Sequence, residues 1–249
     1  MTADGVRFDR DGPVATVTLS RPDVLNAQTP ATWDALRTIG RDLPGDVRVV
    51  IVRGEGRAFS AGLDLKSSPA SLAEIASLPP DEAAARIAVY QEGFTWLHRP
   101  DIVSIAAVRG HAIGAGFQLA LACDLRVLAE DALLSMAEVT LGLVPDLSGT
   151  KRLVALVGYA RALEICLTAR RIDAGEAMRL GLATVVVPGA DLDRSADDLA
   201  AAILAGNRDA VIEIKALLSG AAERSAADQL RAEREAQVRR IRDLAGTGE

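Results

Sequence analysis

An α/β fold is predicted by three observations. Short, unbroken apolar runs at Val47–Val52 and Ile102–Val108 read as strands buried on both faces. Each run feeds a glycine loop and then a helical pattern, with a return to strand at Leu125–Leu128, so strand, glycine loop, helix, strand occurs twice. Beyond Ser148 the pattern is helical, interrupted by one strand at Thr184–Val187.

The elements follow in order. Val6–Phe8, the turn Arg10–Gly12 and the alternating Val14–Leu19 predict a β-hairpin. Thr29 before Pro30 is a helix start, and Trp33, Leu36, Ile39 and Leu43 follow at helical spacing. The Ser-, Ala- and Pro-rich stretch Pro69–Pro80 reads as irregular, after which Asp81 is expected to cap a helix running to about His98. Gly114–Ala122 reads as a helix, and Asn207–Leu244 is Ala-, Arg- and Glu-rich. No linker splits residues 1–190, so the expected organisation is a core over 1–190 and a helical region over 191–249.

Composition excludes several classes. A chain of 249 residues can bury a full core without disulfides or metals, and 49% hydrophobic with 25% charged residues is the balance of a globular protein. With aromatics at 3%, Ala, Leu, Val and Ile must fill that core. The net charge of −6 argues against general nucleic-acid binding, which needs a basic excess. Only Lys66, Lys151 and Lys215 among the basic residues are lysine. Cys123 and Cys166 lie in apolar stretches without CxxC spacing, and with His98 and His111 they cannot supply a His- or Cys-rich zinc site. No signal-peptide core and no apolar run of about 18 residues is seen, so a cytoplasmic protein without membrane insertion is expected.

Two loops carry the chemistry. The first is Gly54-Glu55-Gly56-Arg57-Ala58-Phe59-Ser60-Ala61-Gly62-Leu63-Asp64-Leu65, and the second is Arg109-Gly110-His111-Ala112-Ile113-Gly114-Ala115-Gly116-Phe117. Each leaves a strand and enters a helix, presenting unpaired backbone N–H groups and the positive end of a helix dipole to an anion or a developing oxyanion. One such loop alone would be ordinary turn chemistry. Gly110, Gly114 and Gly116 do not make GxGxxG, neither loop is a P-loop, and Ser60 lacks GxSxG flanks.

Taken together, Arg21-Pro22…Asn26-Ala27, Phe59–Leu65, Gly110…Gly114-Ala115-Gly116…Leu119-Ala120…Cys123-Asp124-Leu125-Arg126, and Glu138…Leu141–Pro145…Gly149-Thr150…Arg152-Leu153 resemble the enoyl-CoA hydratase/isomerase (crotonase) superfamily over about residues 5–190. The resemblance implies a crotonase-type spiral of ββα units with a helical C-terminal region, assembled as a trimer or a dimer of trimers. It implies an acyl-CoA thioester substrate with no separate cofactor or metal. The thioester oxygen would accept hydrogen bonds from the backbone N–H groups of Leu63 and Ala115, each such donor typically worth about 3 kcal/mol in the transition state. Ala61, Gly62, Asp64, Lys66 and Gly114 would help hold the CoA ester, with Lys66 near its phosphates and Asp64 holding its loop. The related caseinolytic-type serine proteases need a Ser-His-Asp set that is not evident here.

The best-known hydratases carry one glutamate shortly after the second loop and another twenty residues later. Those places hold Gln118 and Glu138. An amide cannot exchange a proton near neutral pH, so two-carboxylate hydration is in doubt. Asp146, eight residues after Glu138, resembles the acid pattern of the dienoyl-CoA isomerase branch, though that branch has an aspartate in place of Gln118. Asp146 would otherwise cap the helix starting near Gly149. The expected catalytic set is Glu138, Asp146 and Gln118, and the expected reaction a double-bond shift in an enoyl- or dienoyl-CoA of fatty acid metabolism. The alternatives are an enoyl-CoA hydratase in which Asp146 positions water opposite Glu138, and a catalytically weak acyl-CoA-binding protein.

Overall fold

The computed structural model describes residues 2–246; Met1 and residues 247–249, the outer ends of the expected 1–190 and 191–249 divisions, lie outside it. The strands are β1 (Thr2–Ala3), β2 (Val6–Asp11), β3 (Val14–Leu19), β4 (Val49–Gly54), β5 (Val103–Val108), β6 (His111–Ile113), β7 (Leu125–Ala129), β8 (Leu133–Ser135), β9 (Ile172–Asp173) and β10 (Val185–Val187). The helices are α1 (Pro30–Arg41), α2 (Ser68–Ser77), α3 (Pro80–Thr95), α4 (Ala115–Ala122), α5 (Gly149–Val157), α6 (Tyr159–Thr168), α7 (Ala174–Arg179), α8 (Leu192–Leu204), α9 (Arg208–Gly220) and α10 (Ala226–Leu244).

The larger sheet runs β1-β2-β3-β4-β5-β7-β10, antiparallel through β3 and parallel from there on. Side chains alternate across it as period two requires. Val50 and Val52 of β4 with Ala106 and Val108 of β5 face the main core, while Val49, Ile51, Ile105 and Ala107 pack against Leu192, Ala196 and Ala200 of α8. Both faces are covered, and this is why these strands read as unbroken apolar runs.

A second stack of parallel pairings sits beside the sheet. Gln28 bridges Leu63, Ser60 bridges Ala112, and β6 pairs with β8. The chain therefore repeats one step: a strand in the large sheet, a short extended piece in the second stack, then a helix or turn. This is the expected spiral of ββα units.

The hairpin matches its expected position, and α1 opens with a capping box in which Thr29 and Thr32 bond each other's backbone N–H, with Pro30 next. Three local expectations are corrected. Residues 68–77 form α2, because Pro69 sits in its first turn, where a missing N–H costs nothing. The N-cap of α3 is Pro79 rather than Asp81, and that of α5 is Ser148, so Asp146 caps nothing. Among the described residues no helix is long and apolar enough to cross a membrane.

Candidate active site

The first loop is built by side chains that satisfy its backbone. Asn26 donates to the carbonyls of Glu55 and Ala58 and accepts from the Arg21 N–H. Arg21 bonds the Ala27 carbonyl at 2.7 Å and the Asp64 carboxylate at 2.9 Å. That guanidinium holds Asp64 below the usual carboxylate range, and Asp64 in turn accepts the Lys66 N–H. Ser60 Oγ is occupied by the Asn26 carbonyl, Gln28 and the Gly62 N–H, so it is a structural hydroxyl.

Gly62 is required by space and by conformation. Its φ is +85°, and a Cβ there would lie 2.4 Å from the Ile113 carbonyl oxygen and 3.6 Å from the Ala115 nitrogen. This close approach seats Leu63 next to the N-terminus of α4. Among the described residues the N–H groups of Leu63 and Ala115 have no backbone or side-chain acceptor, and Ala115, the first residue of α4, has none available within its helix. Two free donors from two loops thus converge, and the Ala115 methyl is accommodated in the wall of the cavity beside them.

Glu138 completes this corner. It follows β8, whose Ser135 carbonyl accepts the Gly114 N–H, and a Cβ at Gly114 would lie 3.4 Å from Glu138 Oε1. Gln118 is the one polar residue of α4, a helix buried along its whole length. Its Nε2 donates to Glu138 Oε1 at 2.7 Å, while its Oε1 accepts the N–H groups of Leu147 at 2.8 Å and Gly149 at 3.3 Å. Glu138 Oε2 is buried and has no hydrogen-bond partner among the described residues. Burial pushes Glu138 above the ordinary glutamate range, opposed by the Gln118 hydrogen bond and assisted by the charge of Asp146. Burial raises Asp146 as well.

These groups line one cavity of about 420 Å³. Ala61, Gly62, Leu63, Gly114, Ala115, Gln118, Glu138 and Asp146 all border it. Its remaining wall is mostly apolar, with Leu72 and Ile75 from α2, Ile87 and Tyr90 from α3, and Trp33 from α1. Trp33 and Tyr90 pack ring against ring at 5.1 Å, and Trp33 is held by its N–H on Gln28. The segment expected to be irregular supplies Ser71, Leu72 and Ile75 to this wall. Phe94 and Leu97, at the end of α3 and just beyond it, lie fully in the core.

Lys66 and Asp64 do not border the cavity, and Lys66 is exposed. His98 and His111 also lie outside it. His98 is pushed down to about 4 by burial and by Arg152. Cys123 is buried and its thiol is pushed up to about 12, as expected of a core residue. Among the described residues no cluster of His, Cys, Asp and Glu could hold a metal. The motif residues Asp124 and Arg126 are structural. Arg126, 5% exposed, bonds the carbonyls of Ala120, Cys123 and Leu182, closing the C-terminus of α4.

A spiral that aims two backbone donors and a buried carboxylate into one apolar cavity is an arrangement able to stabilise an oxyanion and move a proton. The family model for enoyl-CoA hydratase/isomerase matches residues 9–244, and the chain belongs to that family. It is 36% identical to the Bacillus subtilis (strain 168) protein YngF, named for enoyl-CoA hydratase/isomerase, over 92% of this chain and 86% of that one. It is 38% identical to a carnitinyl-CoA dehydratase of Citrobacter koseri, over 80% of this chain and 74% of the relative. Among solved structures, a Thermobifida fusca YX protein named for enoyl-CoA hydratase, in complex with acetoacetyl-CoA, superposes with a TM-score of 0.91 at 50% identity, covering 96% of each chain. A second structure named for the same activity in that organism, in complex with CoA, gives 0.89 at 50% identity, covering 98% of this chain and 95% of that one. This is an acyl-CoA-processing enzyme.

Proposed function

We propose that the enzyme shifts a double bond in an enoyl- or dienoyl-CoA through a thioester enolate, with Glu138 as the acid/base. The observation that carries this reading is the asymmetry of the acids: one buried carboxylate with a free oxygen stands by the paired N–H donors, and the neighbouring place holds an amide. In a 3-enoyl-CoA the thioester oxygen accepts from Leu63 and Ala115. Glu138 Oε2 takes a proton from C2, and its electron pair passes into the thioester and the neighbouring double bond. A proton returned to C4 by Glu138 or Asp146 regenerates the carbonyl and leaves a 2-enoyl-CoA. No atom is gained or lost, and no cofactor or metal enters these steps. The apolar cavity wall from α2 and α3 would take the acyl chain, and the exposed Lys66 would meet the CoA phosphates outside the cavity.

Hydration of a 2-enoyl-CoA is the second reading. It is favoured by the hydratase and dehydratase names of the relatives and by Asp146, which borders the same cavity and would position a water for Glu138. The same proposal places the protein in the cytoplasm as a homotrimer or dimer of trimers, with residues 191–249 serving self-association.

The test is incubation with 3-enoyl-, 3,5-dienoyl- and 2-enoyl-CoA, followed by absorbance and product mass. Isomerisation that is lost in Glu138→Gln by about a thousandfold or more supports the reading. Robust hydration insensitive to that substitution overturns it, and tight binding without turnover would mark a non-catalytic binding protein.

A further inference from the structure

We propose that Gln118 is a positioning residue that leaves Glu138 a single reactive oxygen and keeps the base in register with the turn that carries Asp146. The inference rests on the reading of Glu138 as the proton carrier.

The argument is one of donors and acceptors. A carboxamide has one acceptor end and one donor end. The Leu147 and Gly149 N–H groups can only donate, so they demand the Gln118 oxygen. The Gln118 NH2 must then face Glu138, whose Oε1 must accept and cannot carry a proton toward it. A proton arriving at or leaving Glu138 is confined to Oε2, the buried oxygen without a partner. The hydrogen bond survives in both charge states of Glu138, so the base changes charge without losing its aim.

The same amide clamps a strained turn. Ser148 has φ +71°, a left-handed conformation that strains a side-chain-bearing residue and persists only when neighbours hold it. A Cβ at Gly149 would lie 2.8 Å from Gln118 Cγ, so the turn packs directly on this side chain. Gln91 Nε2, donating to the Asp146 carbonyl at 2.6 Å, holds the other side of the turn. The groups whose charge couples to Glu138 are Asp146, from this turn, and the Cys166 thiol of α6. Gln118 itself is uncharged and contributes a donor only.

Two variants separate the roles. Gln118→Met keeps the volume and removes every side-chain hydrogen bond; Gln118→Glu keeps the acceptor for Leu147 and Gly149 and replaces the fixed NH2 donor to Glu138 with a titratable carboxyl. The first readout is the titration of the Glu138 carboxyl, followed by 13C NMR of glutamate-labelled protein and assigned by its disappearance in Glu138→Gln. The midpoint is expected to rise by about one to two pH units in Gln118→Met, the worth of a hydrogen bond to a charged group. In Gln118→Glu it is expected to split into two coupled steps, the upper one above the parent midpoint. The second readout is turnover of 3-enoyl-CoA, where kcat is expected to fall about 10–100-fold with KM within about threefold. A Glu138 midpoint unmoved in Gln118→Met, in protein shown to be folded by circular dichroism, overturns the proposal, as does a parent-like kcat in that variant. Failure of the proton-carrier reading shows differently, as a midpoint that moves while turnover is indifferent to Glu138→Gln.

Discussion

Glu138 and Asp146 are both raised above the ordinary carboxylate range by burial, so the folded chain retains protons there that the unfolded chain releases. Between the unfolded and the raised folded pKa the native state binds more protons, and linkage makes stability fall as pH rises through that window. The cost is fully present above the folded pKa and absent below the unfolded one. Glu138→Gln removes it and can still accept the Gln118 hydrogen bond. Its Tm at pH 7.5 is therefore expected to exceed that of the parent protein, with the difference gone at pH 4 and below; differential scanning calorimetry at the two pH values checks this. Activity carries the opposite sign. A base with a raised pKa works only above that pKa, so the acid limb of kcat/KM is expected above the range of an ordinary glutamate, in a pH–rate profile on 3-enoyl-CoA. At this scale the sequence identified Glu138, Asp146 and Gln118 by motif position. It could not tell that Gln118 faces Glu138 as a donor, because Leu147 and Gly149 act through backbone atoms that carry no residue signature.

Among the elements, the two loops were the most legible, since glycine is the residue that close backbone approach demands. At Gly62 a methyl would sit 2.4 Å from the Ile113 oxygen on a left-handed backbone. Gly62→Ala is expected to cost about 3 kcal/mol or more in urea unfolding and to lower kcat by at least about a hundredfold, because it parts Leu63 from Ala115. The helices that line the cavity were less legible. Residues 68–77 hold three Ser, three Ala and one Pro; as a helix they place Pro69 in the first turn, half-bury Ile75 against the core and turn Leu72 to the rim of the cavity, a pattern that Ser and Pro content hides. The C-terminal α9 is tied to the body by Lys215, 9% exposed, whose Nζ bonds the Ile102 carbonyl and the Asp124 carboxylate, both at 2.7 Å. Asp124 also accepts from Ser104. Lys215→Met leaves Asp124 with Arg152 at 3.6 Å and Ser104 as its remaining partners and is expected to cost about 1–3 kcal/mol by denaturant unfolding, with KM for the CoA ester unchanged. The family motif around Asp124 therefore anchors the helical region rather than the substrate.

For the whole molecule, net charge and surface pull in different directions. On the proposed function, a chain of net charge −6 would bind a polyanionic CoA through local features: the free N–H groups of Leu63 and Ala115, the N-terminus of α4 and the exposed Lys66. Lys66→Ala is expected to weaken CoA-ester binding about threefold at low salt and hardly at all at 0.5 M salt, by titration calorimetry. The described parts of α9 and α10 leave Ile214, Leu218, Leu230, Val238, Ile241 and Leu244 exposed, with Leu218 at 71% and Leu244 at 78%. Such surface is costly in water, and sedimentation equilibrium is expected to give a mass at least three times that of the chain.

The sequence by itself determined the α/β class, the order of strands and glycine loops, the family resemblance and the positions of the acids. These are set by local properties: apolar periodicity, glycine at forced turns, and residue types at fixed spacing. The tertiary structure alone decided how residues far apart in the chain meet: Gly62 against Ile113 and Ala115, and Gln118 between Glu138 and the turn at 146–149. It also made α2 a cavity wall. Those outcomes depend on which backbone atoms remain unpaired once the spiral closes, a property of the packed chain that no short stretch of residues encodes.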